Sequence, residues 1–167
     1  MQNVLGAAIA LIASLVGILA VVYLQSGASA DNKAARAQHE AIALAAGIKQ
    51  IYAGSNAFSN SLPSPGGGTG GNCLLVNAGL APGEMLAGGC NLVSPWAGAV
   101  TVYGRWNGVP STVDVRFSSV PLAVCVNLVR TAAYATCAGA VCAQGGMTAA
   151  QAQANCTAGG TVDLVYD

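Results

Sequence analysis

The chain has 167 residues, of which 54% are hydrophobic and 7% charged, with six basic and six acidic side chains and no formal net charge at pH 7. That length holds one domain plus a helix, and the balanced charge leaves no electrostatic footprint for nucleic acid. A charged fraction far below the roughly 25% usual for globular domains implies a surface largely covered by other copies of the chain.

Residues 1–30, MQNVLGAAIALIASLVGILAVVYLQSGASA, contain no Asp, Glu, Lys, Arg or His, and charges begin with Asp31, Lys33, Arg36, His39 and Glu40. No proline precedes Pro63. One long α-helix is predicted over Met1–Tyr52, apolar in its first half and amphipathic in its second. Val4–Leu24 is apolar apart from Gly6, Ser14, Gly17 and the hydroxyl of Tyr23. At about 1.5 Å per residue it covers roughly 32 Å, enough for a hydrocarbon core of roughly 30 Å. Gly6, Ala10 and Ser14, and separately Ala13 and Gly17, place small side chains four apart, a spacing that lets membrane helices approach closely. The ordinary alanine content of a plain anchor gives the same pattern. A cleaved secretory signal is the rival for this segment, since Ala28-Ser29-Ala30 resembles an A-x-A site before Asp31. Against it stand the absence of Lys or Arg ahead of the apolar run and a run longer than the usual 7–15 residues or so.

In the second half of the helix Ala41, Leu44, Ala45, Ile48, Ile51 and Tyr52 recur at three- and four-residue steps and form an apolar stripe for burial. Arg36, Glu40, Ala43, Gly47 and Gln50 fall on the other side, where small Ala43 and Gly47 would accept a neighbouring helix. His39 beside Glu40 reads as a solvated helix residue, because no nucleophile or metal-ligand cluster accompanies it. Gly54 is placed as the cap that ends the helix.

Ser55–Asn72, containing SLPSPGGGTGGN, reads as an exposed loop of turn formers. No Gly-Lys-Ser/Thr follows its glycines, so a phosphate loop is not indicated. Cys73–Leu80 is predicted as a short helix capped by Asn72. Ala99–Arg105 and Thr112–Phe117 read as strands around a Trp106-Asn107-Gly108 turn. Val120–Tyr134 reads as a helix with a proline near its first turn. Past Gly145-Gly146, a helix over Thr148–Asn155 carries the capping-box pair Thr148 and Gln151, and Thr161–Tyr166 alternates as a final strand.

Cys73, Cys90, Cys125, Cys137, Cys142 and Cys156 are even in number and all lie beyond the apolar segment. None forms a C-x-x-C pair, and one histidine is too few for the usual zinc signatures. Three disulfides in an oxidising, extracytoplasmic compartment are expected instead. Six cysteines allow fifteen connectivities. Short loops favour Cys73–Cys90 and Cys137–Cys142, leaving Cys125–Cys156, but sequence alone does not choose.

An apolar helix continuing into an amphipathic half under a cysteine-bearing α+β head resembles a type IV pilin. Three segments of the head, VNAGLAPGEML (Val76–Leu86), NLVSPWAGAVTV (Asn91–Val102) and VPLAVCVNLV (Val120–Val129), resemble the PilS-like major pilins close to the type IVb class, in the same order. The resemblance covers nearly the whole chain and is most specific in SPWAG followed by a strand. It implies a small antiparallel sheet packed on the long helix and a disulfide enclosing the C-terminal region. It further implies a mature chain left after a prepilin peptidase removes a basic leader; the lack of basic residues before Met1 fits this, although an initiator methionine would look the same. Most of the family carries a glutamate at the fifth mature position to pair with a neighbour's terminal amine, and Leu5 stands there in this chain. Gln2 or Asn3 would offer only neutral hydrogen bonds.

The expected organisation is an N-terminal helix over 1–53, with 1–30 as transmembrane segment and filament core and 31–53 packed on the head, followed by a globular pilin head over 54–167. The expected function is that of a structural subunit forming a type IV pilus filament for conjugation, adhesion or motility. Its partners would be copies of itself, the inner membrane before assembly, the prepilin peptidase and the pilus assembly machinery, with an extracellular filament as destination. Two alternatives are a minor pilin or secretion pseudopilin, and a single-pass anchored extracytoplasmic binding domain. An enzyme is disfavoured because the six acidic residues are scattered without a triad or metal set. No cofactor is implied.

Overall fold

The computed structural model describes residues 2–53, 70–104 and 112–166, with side-chain surroundings given for these except 2–26 and 70. Helix α1 runs without interruption over Gln2–Ile51. From Ala30 onward its buried positions are Ala30, Ala34, Ala37, Glu40, Ala41, Leu44, Ala45, Gly47 and Ile48. This stripe begins about three turns earlier than the aliphatic residues alone indicate, because alanine covers the head as closely as leucine where backbones are near. Ile51 and Tyr52 pack against the edge of the same core. Gly54, the expected cap, lies outside the described residues, as do the apolar side chains of Val4–Leu24. Among the residues whose side-chain surroundings are described, no helix is long and apolar enough to cross a membrane.

Beyond α1 come helix α2 (Gly70–Asn77), a 3₁₀ turn (Gly83–Met85), strands β1 (Leu92–Val93), β2 (Ala99–Gly104) and β3 (Val113–Val120), helix α3 (Leu122–Thr131), strands β4 (Ala135–Cys137) and β5 (Ala140–Ala143), helix α4 (Ala149–Asn155) and strand β6 (Gly160–Tyr166). The strands form one antiparallel sheet in the order β1-β2-β3-β6-β4-β5. Strand alternation gives the sheet two faces. Val102, Val115, Leu164 and Ala135 align across four strands, as do Val100, Phe117, Val162 and Cys137. These rows join the stripe of α1 in one core together with Val124, Leu128 and Val129 of α3. The fold is thus α+β: a long helix on a small antiparallel sheet, with three disulfides.

Two local expectations need correction. Asn72 does not cap α2 but sits within it, buried. Its amide nitrogen donates to the Val100 carbonyl at 2.8 Å, and its amide oxygen accepts from the Val102 nitrogen at 2.9 Å. These are edge groups of β2 where its pairing with β1 ends, at Val100, and just beyond, at Val102, so the Asn72 side chain stands in for a missing strand. The close approach needs Gly71, where a Cβ would come within 2.3 Å of the Val102 carbonyl oxygen. The helix expected over Val120–Tyr134 is shorter, since Val120 still belongs to β3, Pro121 precedes the first turn, and Ala135 opens β4. The predicted Trp106-Asn107-Gly108 turn and most of the 55–72 loop lie outside the described residues; of that loop, Gly70 to Asn72 are helical.

Candidate functional site

Three disulfides staple the head. Cys73–Cys90 ties α2 to the segment before β1, Cys125–Cys156 ties α3 to the end of α4, and Cys137–Cys142 closes the β4–β5 hairpin. The sulfurs of Cys125, Cys137 and Cys156 lie within 4.8 Å of one another. Each is already oxidised in a disulfide, however, and metal binding needs a thiolate. The group is structural. His39 is exposed on α1.

SPWAG forms the turn between β1 and β2. Ser94 N donates to the Gly98 carbonyl at 2.8 Å, and the Ser94 hydroxyl accepts from Gly98 N at 3.0 Å. Trp96 reaches over to β3, donating its indole N–H to the Ser118 carbonyl at 3.0 Å and packing its ring 5.5 Å from that of Phe117. The segment therefore ties three strands together at the bulge between Phe117 and Val120.

On the sheet face away from α1, β-alternation gathers the polar residues. Arg116 donates to both carboxylate oxygens of Asp163, at 2.7 and 2.8 Å, and its guanidinium lies 5.2 Å from the centre of the Tyr103 ring. Thr136 donates to the same carboxylate at 3.2 Å. That pairing raises the Arg116 pKa above its ordinary value. Asp114 is fully buried beside this pair, and neither of its carboxylate oxygens has a hydrogen-bond partner among the described residues. Burial first, and repulsion from Asp163 second, push it up to about 7 against the opposing pull of Arg116. The signal was present in the sequence, since Asp114 and Arg116 stand two apart in a strand.

The surface of α1 differs from the expected division into two faces. Glu40 and Gly47 are buried. Glu40 accepts from Arg36 Nε at 2.7 Å, one turn away, and burial raises its pKa despite that cation. Gly47 meets α2 and the residues after it, for a Cβ there would lie 2.8 Å from Leu75 Cδ2 and 3.2 Å from Leu80 Cβ. The neighbouring helix it accepts is α2 of the chain's own head. The exposed row of α1 is Ala28, Asn32, Ala35, His39, Ile42 and Ala46, with Ile42 54% exposed. On the flank toward α3, Asn127 donates to the Asp31 carboxylate, and Gln38 donates to the Thr131 hydroxyl at 2.6 Å. Gly6, Ala10, Ser14 and Gly17 all fall within α1, where their side-chain surroundings lie outside the described residues.

A long helix bearing a disulfide-bonded antiparallel head is the architecture expected of a type IV pilin. A family model described as PilS N terminal matches residues 31–166, and the chain belongs to this family of PilS-like type IV pilins. No curated protein and no solved structure matches it. Family membership indicates a pilus-associated protein with a structural rather than a catalytic role.

Proposed function

We propose that the protein is a subunit that polymerises into a type IV pilus filament through its N-terminal helix. The observation that carries this reading is the continuity of α1 from Gln2 to Ile51. Its uncharged first half leads straight into a second half that the head covers on one side only. Outside a bilayer, Val4–Leu24 must be kept from water, and a bundle of identical helices achieves that. A head-to-tail contact that does not close on itself generates an open helical polymer. Residues 1–53 then form the assembling helix and 54–167 the displayed head. The subunit waits in the inner membrane, is processed by a prepilin peptidase, and is extruded by the assembly machinery to the cell exterior. Negative-stain microscopy of material sheared from cells that produce the chain should reveal thin filaments containing it. Recovery of the chain only as membrane-bound monomer would refute polymerisation.

A further inference from the structure

We propose that the two C-terminal bridges of the head form one exchange unit, in which a dithiol opens Cys137–Cys142 and the freed Cys137 then displaces Cys125 from Cys156. The observation that carries this is the packing of the sulfurs. Cys137 belongs to one bridge and Cys125 and Cys156 to the other, yet their three sulfurs lie within 4.8 Å of one another, a group that does not include Cys142. With both bridges closed the group is structural. Once the hairpin bridge opens, Cys137 becomes a nucleophile beside a disulfide, and a thiolate attacking a disulfide sulfur is what exchange requires.

The bridges differ in access. Cys125 and Cys156 are only 1% and 7% exposed and belong to the core. Cys137–Cys142 instead closes a hairpin whose tip, residues 138–141, is exposed. Its sequence separation of 5 restricts the unfolded chain little, so it is the less stabilised of the two. Cys142 also lines a hollow of about 290 Å³ with Val141, Gln144, Gly145 and Met147, and none of the described residues lining it is charged. A neutral dithiol entering there reaches Cys142 first. Its thiolate bonds to the Cys142 sulfur and Cys137 leaves as a thiolate; the second thiol of the reagent then closes on the first, frees Cys142 and departs as a disulfide. The reagent is thereby oxidised by two electrons and the protein reduced by the same two. The Cys137 thiolate next bonds to the Cys156 sulfur, the Cys125–Cys156 bond breaks, and Cys125 leaves as a thiolate that takes a proton from water. Cys156 is the partner that follows Cys137, because it lies just past α4, a helix of 7 residues with Ala152 alone buried. Cys125 is fixed within α3 among buried Val124, Leu128 and Val129, where a thiol is tolerated as a small apolar group.

The exchange belongs to the head alone and holds whether or not the chain polymerises. The test treats the purified full-length chain with dithiothreitol at about pH 8, where thiolates form, quenches samples with N-ethylmaleimide, and maps the disulfides by mass spectrometry. The expected partly reduced species joins Cys137 to Cys156 and carries the label on Cys125 and Cys142. If the only such species keeps Cys125–Cys156 and is labelled on Cys137 and Cys142, the proposal is overturned. Two single variants repeat the test without a reductant. Cys142→Ala leaves a lone thiol on Cys137 and should yield Cys137–Cys156 in part of the molecules. Cys137→Ala leaves the lone thiol on Cys142 and should keep Cys125–Cys156 alone. Native pairing alone in both variants would count against the exchange. The double variant Cys137→Ala with Cys142→Ala separates exchange from mere loosening of the head. Without the relay, its Cys125–Cys156 bridge should be reduced at least about threefold more slowly than in the parent. Faster reduction would mean that the hairpin bridge only shields its neighbour, and the proposal would fall.

Discussion

Gly98 has no room for a side chain: a Cβ there would sit 2.0 Å from the Ser118 carbonyl oxygen and 2.7 Å from Trp96 Nε1. Gly98→Ala must part β2 from β3 or break the indole hydrogen bond, and a loss of about 1–3 kcal/mol is expected, as for an overpacked core. Urea unfolding of the head measures it, and an unchanged midpoint would show that the turn yields freely. Asp114 sets a pH dependence of opposite sense to that of a salt-bridged acid. Its ordinary value is 3.8, and in the fold it rises to about 7. Between those values the folded state holds a proton that the unfolded chain has released, so stability falls as pH rises. By about pH 7 the penalty is on the order of 4 kcal/mol at about 1.4 kcal/mol per pH unit. Asp114→Asn should therefore gain stability over the parent at pH 8 and gain little at pH 3.5. Parallel unfolding curves at the two pH values would show the same difference if Asp114 were ionised without cost.

At the scale of elements, the disulfides differ in what they constrain. Cys125–Cys156 spans 31 residues and Cys137–Cys142 spans 5. Restriction of the unfolded chain grows with the logarithm of loop length, so the longer bridge should contribute about 1.5 kcal/mol more. Paired alanine variants compared by thermal unfolding should show the larger loss for Cys125 and Cys156; equal losses would mean that local packing, not chain restriction, dominates. Elements with a local chemical signature were legible in the sequence. Thr148 and Gln151 form the expected capping box, with Gln151 N donating to the Thr148 hydroxyl at 3.3 Å and Thr148 N donating to the Gln151 side chain at 3.0 Å. The hydrophobic alternation of β2, β3 and β6 is equally local. Strands β4 and β5 were missed because Ala135–Cys137 and Ala140–Ala143 are short and alanine-rich, and their pairing comes from β6 and from the hairpin. Asn72 and Gly47 were misplaced for one reason. Each is defined by a distant neighbour, β2 for Asn72 and Leu75 with Leu80 for Gly47, which no periodicity along the chain encodes.

At the scale of the whole molecule, the head covers one side of the second half of α1, and in the proposed filament the remaining side is covered by assembly. The first thirty residues carry no charged side chain, so no ion pair between side chains there can set the register of one helix against the next. An ion pair in a low-dielectric core is strongly directional, whereas apolar helices slide until shapes interlock. Small residues at Gly6, Ala10, Ser14 and Gly17 are proposed to provide that interlock. Gly17→Leu should block filament formation while leaving the chain in the membrane, because a bulky side chain is not absorbed where backbones approach closely; filaments at normal yield would show that Gly17 faces elsewhere. Adding a carboxylate to the same segment tests the register argument from the other side. Leu5→Glu would bury an acid for which no side chain among the first thirty residues offers a countercharge, and burying an unpaired charge is costly. Filament yield should therefore fall relative to the parent, and it should recover in part when assembly is carried out at a pH low enough to protonate the acid. Leu5→Gln, which keeps the shape but not the charge, should be milder. A rise in yield with Leu5→Glu would mean that the assembled core already holds a cation at that depth, and register would then rest on charge and not on shape.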